Sequence, residues 1–223
     1  MADVPETDWL QRWCEGRTGW HRSEPMPLLV RHWPALGLPA GSRVLVPLAG
    51  KSLDMLWLAR QGFSVLGVEL SPLAVRQFFA ENHLAAQSQR EVDGVHYSAG
   101  DIEVIQGDIF KVAARVFESC PAVYDRAAII ALSPALRQRY VHEVYGKLPP
   151  DCRGLIITLE YPQDEMQGPP FSVEEAELLR LFGAEWELEL LERQDIPPSQ
   201  SGFVEAGVSA LATAVYRLRH GAR

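Results

Sequence analysis

Arg43-Val-Leu-Val-Pro-Leu-Ala-Gly-Lys-Ser52 and Val65-Leu-Gly-Val-Glu-Leu-Ser-Pro72 are the two stretches on which the fold turns. In the first, Val44, Leu45 and Val46 form an apolar run too continuous to alternate, as in a strand buried on both faces. Pro47 breaks the run and Gly50 turns the chain. Ser52 offers a cap for a helix with Asp54 in its first turn. The second stretch reads as a strand ending in the acid Glu69. Ser71-Pro72 follows at once, a hydroxyl cap with proline at the first helical position. Strand, glycine turn, helix, strand, acid is how an α/β sheet holds a nucleoside at the carboxyl ends of its strands.

Upstream, residues 6–14 predict a short helix capped near Thr7 or Asp8, with Trp9 and Trp13 on one face. Gly16-Arg-Thr-Gly-Trp-His21 suits a loop that approaches a ligand closely. A second short helix lies between Pro27 and Trp33. Downstream, Ala74, Val75, Phe78 and Phe79 have helical spacing. Residues 83–100 read as polar chain with one short extended piece near Tyr97. Ile102 to Phe110 predicts a third strand and a turn at Asp108. Ala122 to Leu132 predicts a fourth strand, with Asp125 and Arg126 as either a structural ion pair or a site. Ser133-Pro134 starts a helix running to about Lys147, and Gly154 to Glu160 is a fifth strand. The proline loop from Tyr161 to Phe171 then lies at the carboxyl edge, where substrates bind. Ser172 and Glu175 have capping-box spacing for a helix ending at Gly183. Residues 185–192 and 211–218 read as an antiparallel pair around a Pro/Ser/Gly loop at 195–205. The sum is a doubly wound α/β sheet with an antiparallel edge.

Composition sets limits. A chain of 223 residues is long enough for one α/β domain and short for two. A net charge of -8 argues against a nucleic-acid partner, because phosphate binding needs clustered Lys and Arg. No segment reaches the roughly 18 apolar residues of a membrane span. The start, with Asp3, Glu6 and Asp8, does not read as a signal peptide. Cys14, Cys120 and Cys152 lack metal spacing and read as reduced cytoplasmic thiols. The six histidines show no ligand spacing either, so no metal is expected. His21 reads as a hydrogen-bonding loop residue before a general base.

Three nucleoside ligands compete for the first turn. A dinucleotide needs G-x-G-x-x-G to cup its pyrophosphate, and only Gly50 is present. Gly50-Lys51-Ser52 ends like a phosphate loop, but Leu45 stands where that motif opens with glycine. Pro47 also removes an amide that a phosphate nest would use. S-adenosylmethionine needs no phosphate nest. It needs a turn, an acid for the ribose hydroxyls and a polar residue after the third strand. Gly50, Glu69 and Asp108 occupy those places in order.

Val-Leu-Val-Pro-Leu-Ala-Gly-Lys-Ser-Leu-Asp-Met-Leu-Trp-Leu-Ala59, Gly-Val-Glu-Leu-Ser71, Tyr-Asp-Arg-Ala-Ala128 and Leu-Glu-Tyr-Pro-Gln163 with Gly-Pro-Pro-Phe171 resemble the thiopurine S-methyltransferases of bacterial type, as does Thr-Gly-Trp-His21 with Trp13. The resemblance runs from about Trp9 to Arg217. It implies a Rossmann-like methyltransferase sheet of seven strands, the last antiparallel, with a helical lid at the amino terminus. One domain is expected: residues 1–40 as cover, 41–160 as cofactor core and 161–223 as substrate loop and final strands. It implies S-adenosylmethionine as cofactor, held by Trp13, Leu48, Gly50, Glu69, Asp108 and Arg126. Trp20, Arg126, Tyr161 and Phe171 would face the acceptor, with Arg126 as stabiliser of its thiolate. Ala49 stands where bacterial members usually have Cys, and Trp20 where Phe is frequent. The implied reaction is methyl transfer to an aromatic or heterocyclic thiol, with selenium or tellurium compounds as further acceptors. A monomer acting on small molecules in the cytoplasm is expected. The alternative is a degenerate methyltransferase serving as a cofactor-binding regulatory module.

Overall fold

The computed structural model describes residues 8–183, 185–197 and 207–221. Strand β1 (Arg43–Pro47) lies at the middle of one nine-stranded sheet. β2 (Ser64–Glu69) pairs with it on one side and β6 (Ala122–Arg126) on the other, both parallel. β5 (Ile102–Gln106) extends the β2 side and β7 (Arg153–Glu160) the β6 side, again parallel. Chain direction therefore parts between β1 and β6, a topological switch point of the kind at which open α/β sheets bind ligands.

Both faces of the central strands are buried, which is why their sequences run apolar without alternation. Leu45 joins Val123, Ile156 and Tyr140 on one side, the last from α6 (Pro134–Glu143). Val44 and Val46 join Met55 and Leu58 of α3 (Asp54–Arg60) on the other. The second core also takes Leu28 and Leu29 of α2 (Pro27–His32), together with Trp33 and Leu36. α4 (Pro72–Glu81) begins as expected: Ser71 Oγ accepts the Ala74 amide at 3.2 Å.

The expected seven strands are present, but among the described residues the sheet has nine. The additional two are a hairpin, β3 (Gln87–Glu91) with β4 (Gly94–Ala99), antiparallel to β5. β3 is exposed along its whole length, so it carries no apolar alternation that would mark it as a strand. The antiparallel element at the other end is not the edge. β9 (Ala212–His220) inserts antiparallel between β7 and β8 (Trp186–Asp195), and β8 is outermost. The loop expected at 195–205 falls largely outside the described residues.

Other corrections are local. The apolar run after β6 is not strand beyond Arg126; it becomes a short 3-10 turn at Ile129–Ala131. α6 stops at Glu143 and a separate 3-10 turn covers Tyr145–Lys147. α3 starts at Asp54, with Ser52 Oγ accepting only the Asp54 amide at 3.2 Å. Ser172 caps no helix. Its Oγ accepts the Tyr161 amide at 3.0 Å, and α7 (Glu175–Phe182) starts without a side-chain cap.

Asp125 and Arg126 do not pair, because neighbours on a strand point to opposite faces. Asp125 is fully buried and accepts Tyr140 and Tyr145 hydroxyls at 2.7 and 3.0 Å and the Ile129 amide at 3.1 Å. Asp125→Ala leaves two buried hydroxyls without their acceptor. We expect it to lower unfolding free energy by about 3 kcal/mol, read from urea denaturation.

His96 fastens the hairpin. Its ring nitrogens meet Asp93 Oδ1 at 2.9 Å and Glu103 Oε1 at 2.8 Å, while Arg43 Nη2 reaches Glu103 Oε2 at 2.6 Å. Burial alone would depress the imidazole pKa, but the hydrogen bonds and charges of Asp93 and Glu103 outweigh it and raise it above the ordinary value. A pKa raised by folding stabilises the protein fully below the unfolded value of about 6.5, and that contribution is lost as pH climbs through the folded value. Denaturation midpoints should therefore fall above pH 6.5. The same series on His96→Gln should be flatter.

Candidate functional site

The carboxyl end of β1 collects most of the residues singled out from sequence. Ala49 donates its amide to Val68 carbonyl at 2.9 Å, so the chain still follows β2 as it leaves the strand. Leu48 turns it with φ +47°, a left-handed conformation unusual for a residue with a branched side chain. Gly50 follows with φ +56°. Its missing side chain also matters for packing: a Cβ there would lie 3.3 Å from Trp13 Cζ2 and 3.9 Å from Trp20 Nε1.

Glu69 at the end of β2 is 6% exposed, and its carboxylate is the hub of the turn. Oε2 accepts the Gly50 amide and Oε1 the Ser71 amide, each at 2.7 Å. Burial pushes its pKa up, opposed by hydrogen bonds from the Ser71, Gly50 and Leu70 amides. An ionised carboxylate has about four acceptor positions, so the amides leave capacity for a ligand hydroxyl. That remaining acceptor capacity at a strand end fits the ribose of a nucleoside cofactor.

The amino-terminal segment covers this turn. α1 (Trp9–Cys14) is capped by Asp8, whose Oδ1 accepts the Gln11 amide at 2.9 Å. Trp13 is buried, and Trp20 meets it edge to face at 5.7 Å between centroids and meets Trp9 at 5.4 Å. Arg126, the last residue of β6, donates Nη2 to the Trp20 carbonyl at 2.8 Å. Ala127 follows it with φ +63°. The segment is fixed below by Asp54, a buried acid that accepts the Met26 amide at 2.7 Å and the Tyr124 hydroxyl at 2.9 Å. His21 is partly buried. Burial, then Lys51, with Arg126 a smaller contribution, lowers its pKa against an opposing pull from Glu81. Lys51 itself is held by both oxygens of Glu81 at 2.7 and 2.9 Å.

Asp108 sits after β5, the neighbour of β2, where its Oδ1 accepts the Phe110 amide at 3.0 Å. Phe171 ends the proline loop and is buried, its amide donating to Ile130 carbonyl at 2.7 Å. Tyr161 is buried with Val208 and Leu211, and its hydroxyl donates to Pro170 carbonyl at 2.6 Å. It braces the loop from within. Gln163 does the same, donating to Met166 carbonyl at 2.6 Å and accepting the Ser172 amide at 2.9 Å. Sequence reading did not single out Asp54, Tyr124, Lys51 or Gln163 for these contacts. Of these only Asp54 carried a sequence signal, its place in the first turn of a helix.

A cavity of about 650 Å3 lies elsewhere, lined by Leu36, Gly37, Arg153, Glu189, Arg217 and Arg219 among others. Arg153 opens β7, whereas the site is where the parallel strands end. Its arginines are already engaged with Leu36 carbonyl, Glu189 and Asp151.

A family profile described as Thiopurine S-methyltransferase matches residues 4–221. The chain belongs to the thiopurine S-methyltransferase family. A family member from Xanthomonas campestris pv. campestris is 57% identical over 215 residues, covering 96% of this chain and 99% of the relative. One from Nitrosomonas eutropha is 56% identical over 211 residues, covering 95% and 96%. Among solved structures, 1,6-didemethyltoxoflavin-N1-methyltransferase of Burkholderia thailandensis, with bound 1,6-didemethyltoxoflavin and S-adenosylhomocysteine, superposes with a TM-score of 0.63 at 19% identity, covering 96% of this chain and 86% of that one. A methyltransferase of Methanosarcina mazei gives 0.64 at 14% identity, covering 90% and 100%. The fold is the Rossmann-like methyltransferase fold. The protein is a methyltransferase with S-adenosylmethionine as its cofactor.

Gly50→Ala places a side chain in a left-handed turn and against Trp13. We expect about 1–2 kcal/mol of destabilisation and a shifted tryptophan emission spectrum, measured by thermal melting and fluorescence.

Proposed function

We propose that this family member methylates sulfur in aromatic and heterocyclic thiols of the thiopurine kind, and that small selenium and tellurium compounds are further acceptors. The observation that carries the reading is the joining of the first turn to the aromatic cover: Glu69 grips Gly50, Gly50 receives Trp13, and Arg126 holds the Trp20 carbonyl. Glu69 and Asp108 would hold the ribose and adenine side of the cofactor. Leu48, Gly50 and Trp13 would hold its methionine side, and Trp20 and Phe171 would face the acceptor. Tyr161 shapes the acceptor side through the loop it braces.

The bound cofactor supplies an electrophilic methyl on a sulfonium centre. What the chain contributes is alignment of the accepting sulfur with that methyl, and exclusion of water. A thiolate meeting a sulfonium neutralises charge, so an aromatic enclosure favours the transition state over water. Arg126 can hold the thiolate through its guanidinium while its other nitrogen keeps the cover in place. An aromatic thiol ionises near neutrality, so the reaction needs no strong base.

Two measurements test this. Calorimetric titration with S-adenosylmethionine, followed by turnover of an aromatic thiol, should give binding and transfer; binding without transfer would favour a regulatory module. Arg126→Lys keeps the charge and loses the fork. It should lower kcat/KM for the thiol by about tenfold to a hundredfold, the range expected when a charge-assisted contact is lost. Unchanged turnover and cofactor affinity would remove Arg126 from the site.

A further inference from the structure

Arg137 sits in α6, in a helix whose sequence, Pro-Ala-Leu-Arg-Gln-Arg-Tyr-Val-His-Glu143, gives it the look of a solvated residue. It is 2% exposed. A guanidinium is buried at that level only when its donors are satisfied. Nε donates to Leu132 carbonyl at 3.0 Å, and Nη1 to Glu177 Oε1 at 2.7 Å and to Ser172 carbonyl at 3.4 Å. Its Cζ lies 5.6 Å from the centroid of the Phe171 ring, within cation–π range.

These partners belong to three segments. Leu132 is in the connection that leaves β6, whose last strand residue is Arg126. Phe171 and Ser172 end the proline loop that leaves β7. Glu177 is in α7. The Phe171 amide bond to Ile130 carbonyl ties the first two segments a second time. Phe171 is confined further by Gly168, where a Cβ would come within 2.6 Å of its Cδ1. One buried fork therefore spans the two loops at the carboxyl ends of adjacent strands.

We propose that Arg137 is a positioning residue for methyl transfer, clasping the acceptor loop through Phe171 and Ser172 to the β6 connection that begins at Arg126. The proposal rests on the sulfur-methylation reading above. The clasp sets the distance between the acceptor wall and the cofactor side, and an error of about 1 Å in such a setting can lower rate by a hundredfold. Arg137 touches neither reactant. Its charge is consumed by Glu177 and the carbonyls, so geometry is what it supplies.

Arg137→Lys keeps the charge but replaces the planar fork with one ammonium. In the folded variant the thiol KM should rise about tenfold while the dissociation constant of S-adenosylmethionine, measured by calorimetry, stays within about twofold. Amide hydrogen exchange at Phe171 should accelerate, because its bond to Ile130 loses its brace. A purely structural arginine would lower the melting temperature and leave thiol KM and Phe171 exchange unchanged; that result overturns the proposal. So does a rise in cofactor dissociation constant parallel to thiol KM. If Arg137→Lys does not fold, Glu177→Gln at the partly exposed end of the clasp should raise thiol KM about threefold, and an unchanged KM there overturns it. A wild-type protein that methylates no thiol would defeat the sulfur reading alone. Phe171 exchange in Arg137→Lys would still decide the clasp.

Discussion

The site depends on one carboxylate. Glu69 accepts two buried amides, one from the turn after β1 and one from the start of α4, and so fixes both chain reversals with a single side chain. Losing it would leave two buried N–H groups unpaired, each costing about 1–3 kcal/mol. The consequences spread outward from there. A fixed Gly50 presents a gap into which Trp13 packs, Trp13 orders Trp20, and the Trp20 carbonyl receives Arg126 from the neighbouring strand. The acid proposed to hold the ribose is thus also the brace of the turn, which explains its burial at a strand end where a lone charge would be solvated.

Strain marks the same place. Leu48 and Ala127 both adopt positive φ, and each follows directly on one of the two strands that flank the switch point. A left-handed conformation costs an ordinary residue about 1–2 kcal/mol. It persists where the surrounding structure over-determines the backbone. Here the ladder from Ala49 to Val68 and the Arg126 bond to Trp20 do so on either side. The antiparallel additions at the sheet ends lie away from this point, so the extra hairpin and the inner position of β9 alter the outline without altering the site.

Much of the fold was legible because its signals are short-range. The apolar run of β1, the Ser71-Pro72 helix start and the Asp8 cap each involve residues within four positions of one another. Failures have a common cause. The first strand of the hairpin is exposed and polar, so period two left no trace in Gln87–Glu91, whereas half-buried β4 falls on the extended piece expected near Tyr97. Ser172 and Glu175 matched a capping box, but the serine found a better use bridging back to Tyr161. Adjacency left Asp125 and Arg126 open as an ion pair or a site, and strand geometry removes the first by sending them to opposite faces, one to two tyrosines and the other to the cover.

By itself, then, the sequence determined the alternation of strands and helices, the turn at Gly50 and the placing of an acid 19 residues later. These follow from backbone conformational preference and from periodic burial, which act locally. Tertiary structure decided what those groups touch. The Arg126 bond to Trp20 spans 106 positions, the Met26 bond to Asp54 spans 28, and the Arg137 bond to Ser172 spans 35. No local preference encodes such bonds. They form only once the sheet has brought strand ends together and burial has made an unpaired donor too costly to leave.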